Sequence, residues 1–309
     1  MEVNAEETSA LTLYGFVPVR NFLKAKPLET HMGEKSLIIP CPADKRNFIA
    51  VFRRRAAEWR FLYMAFFNCY YKSAELGQDV CFNAVIPEDC ADNIKTVYLL
   101  HGLSDNHTAW ERRSSVERYA QNAGVALIMP NVDRSFYTDM KFGRNFYTFV
   151  TKELVEYTRK VFRLSKKRED TFVAGLSMGG YGAFKIALRE SETFSAAASL
   201  SGVLDISSHA KPTGDWKNDA YLAFGEGDTL EGTDESVITL VKNFSGAHKP
   251  RLYQACGTED FLYNDNKKFR EVIADKGFDH VYEEDKGAHE WNFWDKYIER
   301  AIKFFVNEK

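Results

Sequence analysis

A chain of 309 residues with 45% hydrophobic content can bury one large core or two modest ones. Its net charge of −3 argues against a nucleic-acid partner, and no apolar run has the length of a membrane span. Acidic residues open the N-terminus in place of a signal peptide's apolar core. The five cysteines (Cys41, Cys69, Cys81, Cys90, Cys256) include no C-x-x-C and no metal-type cluster. The expectation is a cytoplasmic protein with reduced thiols, Cys81 and Cys256 serving as small buried hydrophobes.

Residues 1–63 carry 10 Lys/Arg and 7 Asp/Glu, leaving 31 and 37 to the rest of the chain. They show no sustained period and mix Pro, Gly, basic residues and short apolar bursts such as 36–40. Arg53-Arg54-Arg55 reads as solvated surface. Trp59-Arg60 can be encoded by TGGAGG, which contains the bacterial ribosome-binding sequence GGAGG a few codons ahead of Met64. The expectation is therefore an N-terminal extension over 1–63 that is not part of the natural protein, followed by one domain over 64–309.

From Met64 onward, strand-like runs occur at 66–71 and 80–87, then at 95–100, running into His101-Gly102. Asn106 or Thr108 opens a helix that Gly124 closes, and 125–130 is another buried strand. An amphipathic helix over 146–162 places Phe146, Phe149, Val150, Leu154, Tyr157 and Val161 on one side. Strands follow at 171–176, 194–201, 251–256 and 280–283, with helices near 236–244, 265–276 and 291–306. Strands alternating with long helices imply an α/β fold with a mainly parallel, doubly wound sheet. The short connection between the first two strands implies an antiparallel N-terminal edge.

The stretch 171–184 organises the rest. A strand-forming run ends at Leu176, a helix-forming run begins after Ser177, and Gly175-Leu176-Ser177-Met178-Gly179 lies across the join. A nucleophilic serine on a sharp strand-to-helix turn occupies strained backbone, and glycines on either side let strand and helix approach. The helix N-terminus that follows favours negative charge beside it. A bare G-x-S-x-G also arises by chance around a serine that merely caps a helix. Here the flanking strand and helix, with Gly180 and Gly182, single out Ser177 as a nucleophile.

A serine nucleophile needs a base, and the base an orienting acid. Ligand sites of a doubly wound sheet lie beyond the carboxyl ends of its strands. Two turns there hold the required residue types: Gly257-Thr258-Glu259-Asp260, and Gly287-Ala288-His289 after the last strand. The order serine, acid, histidine is that of an α/β-hydrolase. Glu259 and Asp260 both qualify as the acid on this reading. Two backbone N–H groups would form an oxyanion hole: Met178, after the nucleophile, and Leu103, in the turn following a central strand. His101 then reads as a residue that holds this turn.

Tyr98-Leu99-Leu100-His101-Gly102, Gly175 to Ala183, Gly257 to Tyr263 and Ala288-His289-Glu290-Trp291 resemble the esterase D family of α/β-hydrolases. Bacterial tributyrin and acetyl esterases are the nearest members, with feruloyl esterases and S-formylglutathione hydrolases as relatives. The similarity spans about 64–309 and implies the α/β-hydrolase fold. It selects Asp260 over Glu259, since the family aspartate stands two residues before the position of Leu262. It also suggests that the family begins near Met64. Segment 203–249 is irregular, polar and Gly-rich, matches poorly, and is expected to be a cap-like insertion shaping the pockets.

The resemblance implies a serine carboxylesterase that works through an acyl-enzyme on a small-molecule ester, with no metal or organic cofactor. Short acyl chains, acetyl to butyryl, lead, on acetylated saccharides. Feruloyl esters and S-formylglutathione are the alternatives. An acyltransferase differs only in how well water is excluded. Tyr137 and Trp291 are the expected substrate contacts, while Phe146 and Trp294 read as core packing. No nucleic acid or membrane partner is expected, and a homo-oligomer is compatible with the sequence.

Overall fold

The computed structural model describes residues 27–29, 35–40, 47–50, 63–88, 92–209, 216–225 and 230–306. Cys41, Cys90 and Arg53-Arg54-Arg55 lie outside them. The chain divides into two compact units, Met1–Phe61 and Leu62–Lys309. The described part of the first is an antiparallel sheet of β1 (Pro27–Glu29), β2 (Lys35–Pro40) and β3 (Asn47–Ala50), in that order.

Among its described residues, the second unit is built on eight strands: β4 (Met64–Lys72), β5 (Asp79–Pro87), β6 (Thr96–Leu100), β7 (Ala126–Pro130), β8 (Thr171–Leu176), β9 (Ala196–Leu200), β10 (Arg251–Gly257) and β11 (His280–Asp285). Their spatial order is β11-β10-β9-β8-β6-β7-β5-β4. Pairing is parallel from β11 to β7, and antiparallel from β7 to β5 and from β5 to β4. The expected sheet and its antiparallel edge are both present. β6 to β9 are buried at every position, as parallel strands covered on both faces must be. Successive residues serve opposite cores: Phe172, Ala174 and Leu176 face one, Val173 the other.

One core packs under α1 (Ala109–Arg113), α2 (Val116–Ala123) and α9 (Trp291–Val306). The other packs under the helix over 146–161 (α3), α4 (Met178–Arg189) and α8 (Tyr263–Ile273). The sequence pattern joined α1 and α2 into one helix. The chain breaks at Ser114, whose hydroxyl donates to Trp110 O at 2.6 Å. In α3, a π-turn at Phe149–Glu153 shifts the helical phase, and Val161, expected on the buried side, is 50% exposed. Cys256 is buried as expected. Cys81 is only half-buried, with its sulfur 3.5 Å from His107 Nδ1.

Among its described residues, segment 203–249 holds three helices, α5 (Ile206–His209), α6 (Lys217–Phe224) and α7 (Val237–Lys242). Val237, Ile238 and Val241 belong to the main core, so α7 is a core layer. Ahead of it, Glu235 accepts from the fully buried Lys185 of α4 at 2.8 Å, and Thr138 Oγ1 lies 2.7 Å from the same ammonium. Burial pushes the Lys185 pKa down to about 8 against the pull of Glu235. Burial also works against ionised Glu235, but Lys185, Arg189 and Thr138 together hold its pKa below the usual value. The two charges thus fasten this segment to the helix that follows Ser177.

Candidate active site

β8 ends at Leu176, and Ser177 takes φ 52° and ψ −118° before α4 begins. Such a conformation costs a non-glycine residue about 1–3 kcal/mol, and the surroundings must over-determine it. They do so through backbone. Ser177 N–H donates to Leu200 O at 2.9 Å, and Ser177 O accepts from Tyr181 N–H at 3.1 Å. The flanking glycines are sterically required. A Cβ on Gly175 would stand 2.4 Å from the Gly179 carbonyl, and one on Gly179 would stand 2.6 Å from Leu100 O. The hydroxyl is thereby held at the carboxyl edge of the sheet, beside the first turn of a helix.

The parallel register of β10 and β11 pairs Gly257 with Asp285, so the turns that follow them emerge side by side. Glu259 N–H donates to Gly287 O at 2.9 Å, and a Cβ on Gly257 would lie 2.2 Å from that same oxygen. This joint brings His289 to Asp260. His289 Nδ1 lies 2.9 Å from Asp260 Oδ2 and 3.1 Å from Oδ1, while Nε2 lies 3.0 Å from Ser177 Oγ. A carboxylate only accepts, so Nδ1 carries the proton and Nε2 offers its lone pair to the serine hydroxyl. The Asp260 side chain is fully buried and also accepts from Leu262 N–H at 2.8 Å. Glu259 points to solvent, 3.9 Å from Lys286.

Leu100 pairs with Gly175, which sets the turn after β6 beside the serine. A Cβ on Gly102 would lie 3.7 Å from that of Ser177. Asp105 N–H closes the turn on Gly102 O at 3.1 Å, leaving Leu103 at a position whose N–H the turn does not use. Met178 is the first residue of α4, and its N–H is among those a helix leaves without an intrahelical partner. Buried His101 donates from Nδ1 to Gly102 O at 2.7 Å and accepts from Val132 N–H at Nε2, at 3.1 Å. Burial lowers its pKa, and both nitrogens are engaged, so it holds the turn and is no base for Ser177.

Tyr137, expected to contact substrate, does not reach the cleft. Positive φ angles at Phe136 and Tyr137 turn the chain inward, and the buried ring lies against Gly182. Its hydroxyl donates to His101 O at 2.9 Å, a brace for the turn. Trp291 does line the cleft, which encloses about 480 Å³ around Ser177 and His289. Trp294 is buried, as core packing requires, and also forms cleft wall, edge-on to His289 at 4.8 Å.

Sequence reasoning missed Trp216, Phe261, Arg113 and Arg134, all on the cleft. Phe261, which adjoins Asp260, packs its ring at a tilt 4.5 Å from that of His289 and could have been found from that adjacency. Arg134 holds Asp219 of α6 in a two-pronged pair at 2.8 and 2.7 Å, fixing that helix beside the opening. No helix among the described residues is long and apolar enough to cross a membrane.

Comparison with known proteins places the chain in a family. The Esterase family model matches residues 73–305. An acetyl esterase of Caldicellulosiruptor saccharolyticus is 35% identical over 262 residues, spanning 78% of this chain and 98% of the relative. Among solved structures, the substrate-bound Staphylococcus aureus fluorophosphonate-binding serine hydrolase FphF aligns with a TM-score of 0.75 at 34% identity, covering 79% of this chain and 99% of that one. The S. aureus S-formylglutathione hydrolase FrmB, as apoenzyme, aligns with a TM-score of 0.70 at 34% identity, covering 79% and 100%.

Proposed function

The chain belongs to the esterase family of α/β-hydrolases and is a carboxylic ester hydrolase; on that premise we propose that it removes short acyl groups, acetyl to butyryl, from saccharide esters, with Ser177 as nucleophile. The observation that carries the reading is the continuous line Asp260–His289–Ser177, at 2.9 and 3.0 Å, opening into an aromatic-walled cleft. The acetyl esterase relative supports the acyl preference.

His289 Nε2 takes the Ser177 proton as Oγ bonds to the ester carbonyl carbon, and Asp260 stabilises the imidazolium while fixing its orientation. The N–H groups of Leu103 and Met178 donate to the tetrahedral oxyanion. Its collapse breaks the bond to the alcohol oxygen, which leaves with the proton from His289. Water, deprotonated by the same nitrogen, then attacks the acyl-enzyme and releases the carboxylic acid and free serine.

The exposed ring of Phe261 and the half-buried ring of Trp216 on the cleft favour one second reading, a hydroxycinnamoyl ester. Initial rates on p-nitrophenyl acetate through decanoate, methyl ferulate, an acetylated xylo-oligosaccharide and S-formylglutathione separate the readings, with Ser177→Ala as blank. A steep preference for acetate to butyrate, with turnover of the acetylated saccharide, is expected. Faster turnover of methyl ferulate would overturn it in favour of the hydroxycinnamoyl reading.

A further inference from the structure

Arg113 is the last residue of α1, and its side chain lies on the same cleft as Ser177. Its guanidinium stands 5.7 Å from the ring centroid of Trp291. Trp291 is braced edge-to-face by Trp110 at 5.2 Å and by Trp294 at 5.3 Å. Both braces are anchored, Trp110 Nε1 donating to Leu100 O at 3.0 Å and Trp294 Nε1 to Ser201 Oγ at 3.1 Å. The cation therefore rests on a fixed platform.

Among the described residues, no carboxylate forms an ion pair with Arg113. The other arginine on the cleft, Arg134, is matched by Asp219. Asp105, the acidic side chain on the lining, belongs to the Leu103 turn and makes no ion pair with Arg113. Acidic side chains outnumber basic ones 37 to 31 over 64–309, so an exposed arginine on the cleft that, among the described residues, pairs with no carboxylate stands out.

We propose that Arg113 is a specificity-determining residue that binds a carboxylate on the alcohol half of the ester, so that the preferred substrates are short-chain esters of acidic alcohols such as an acidic saccharide. This rests on the assignment of Ser177 as nucleophile. A short acyl group joined to Ser177 stays within the cleft, whereas the alcohol half extends toward solvent, where Arg113 is exposed. The planar guanidinium offers two parallel N–H donors to a carboxylate, a geometry an ammonium does not reproduce.

The test uses two aryl acetates of matched shape, 4-acetoxybenzoate and 4-acetoxybenzamide, and reads the ratio of their kcat/KM values. Arg113→Gln should lower that ratio, acid over amide, by about 10–100-fold, mainly through KM for the acid, and Arg113→Lys should restore only part of it. Added salt should lower the wild-type ratio and leave that of Arg113→Gln flat. A ratio unchanged by Arg113→Gln overturns the proposal, including the case where both esters slow equally because the arginine only steadies Trp291. A second pair, p-nitrophenyl hemiglutarate and p-nitrophenyl pentanoate, puts the charge on the acyl half. A loss confined to that pair overturns the assignment to the alcohol. Failure of the underlying site shows differently, as equal rates for wild type and Ser177→Ala, and the proposal falls with it.

Discussion

Asp260 stands just ahead of α8 and Asp265 in its first turn, and each binds a histidine from elsewhere in the chain. Asp260 takes His289 through Nδ1 at 2.9 Å, and Asp265 takes His209 through Nε2 at 2.8 Å. The first carboxylate is fully buried and the second 12% exposed, with His289 at 19% and His209 at 28%. The difference lies at the far side of each ring. His289 has its remaining nitrogen 3.0 Å from Ser177 Oγ. His209 has the ring of Trp216 beside it at 5.2 Å, and its pairing ties α5 to α8. On the mechanism proposed above, the same two side chains serve chemistry in one place and tethering in the other, according to which nitrogen the carboxylate occupies and what faces the second.

The widest separation between the pairs should come from removing the rings. His289→Ala should lower kcat on p-nitrophenyl acetate on the order of 10⁶-fold, and His209→Ala by less than about threefold. Asp260→Asn should cost about 10⁴-fold, since an amide can hold the wrong tautomer of His289, while Asp265→Asn should leave the rate nearly intact. Comparable losses at the two positions would break the comparison. Gly257→Ala sharpens it more gently. The new methyl must push Gly287 away and with it the loop that carries His289. A displacement of that size predicts about a 10²-fold fall in kcat/KM with the His209 pair undisturbed, read by kinetics alongside circular dichroism.

The sheet was legible because its inner strands are buried on both faces and so read as unbroken apolar runs bounded by turns. The convergence of Ser177, His289 and Asp260 was legible for a related reason. Each follows a strand end and a glycine that the local geometry requires, and that punctuation is written in a few adjacent residues. Glu259 was separable from Asp260 only by resemblance, because which of two neighbouring carboxylates turns inward is decided by the Leu262 N–H and the joint to Gly287. Tyr137 misled because an aromatic near the mouth says nothing of where its hydroxyl goes. The left-handed backbone at Phe136 and Tyr137 sends it to His101. Arg113, Arg134 and Trp216 carry no motif at all and meet only through tertiary packing, so their shared cleft lay beyond any spacing argument.

The smallest expected effect tests the second pair on its own terms. A hydrogen bond between a partly exposed histidine and a nearly buried carboxylate contributes about 0.5–1.5 kcal/mol. In a unit of this size that is a shift in Tm of roughly 1–6 °C. His209→Gln removes the ring and should fall at the low end. Asp265→Asn should cost more, because it also removes a negative charge from the first turn of α8, worth about 0.3–1 kcal/mol against the helix dipole. Thermal unfolding of the two single variants and the double variant gives the coupling between them. A positive coupling with kcat/KM held within about threefold of wild type marks the pair as a tether. If His209→Gln instead lowered kcat/KM by 10²-fold at an unchanged Tm, the pair would be acting on the reaction through Trp216, and the division of labour between the two histidines would fail.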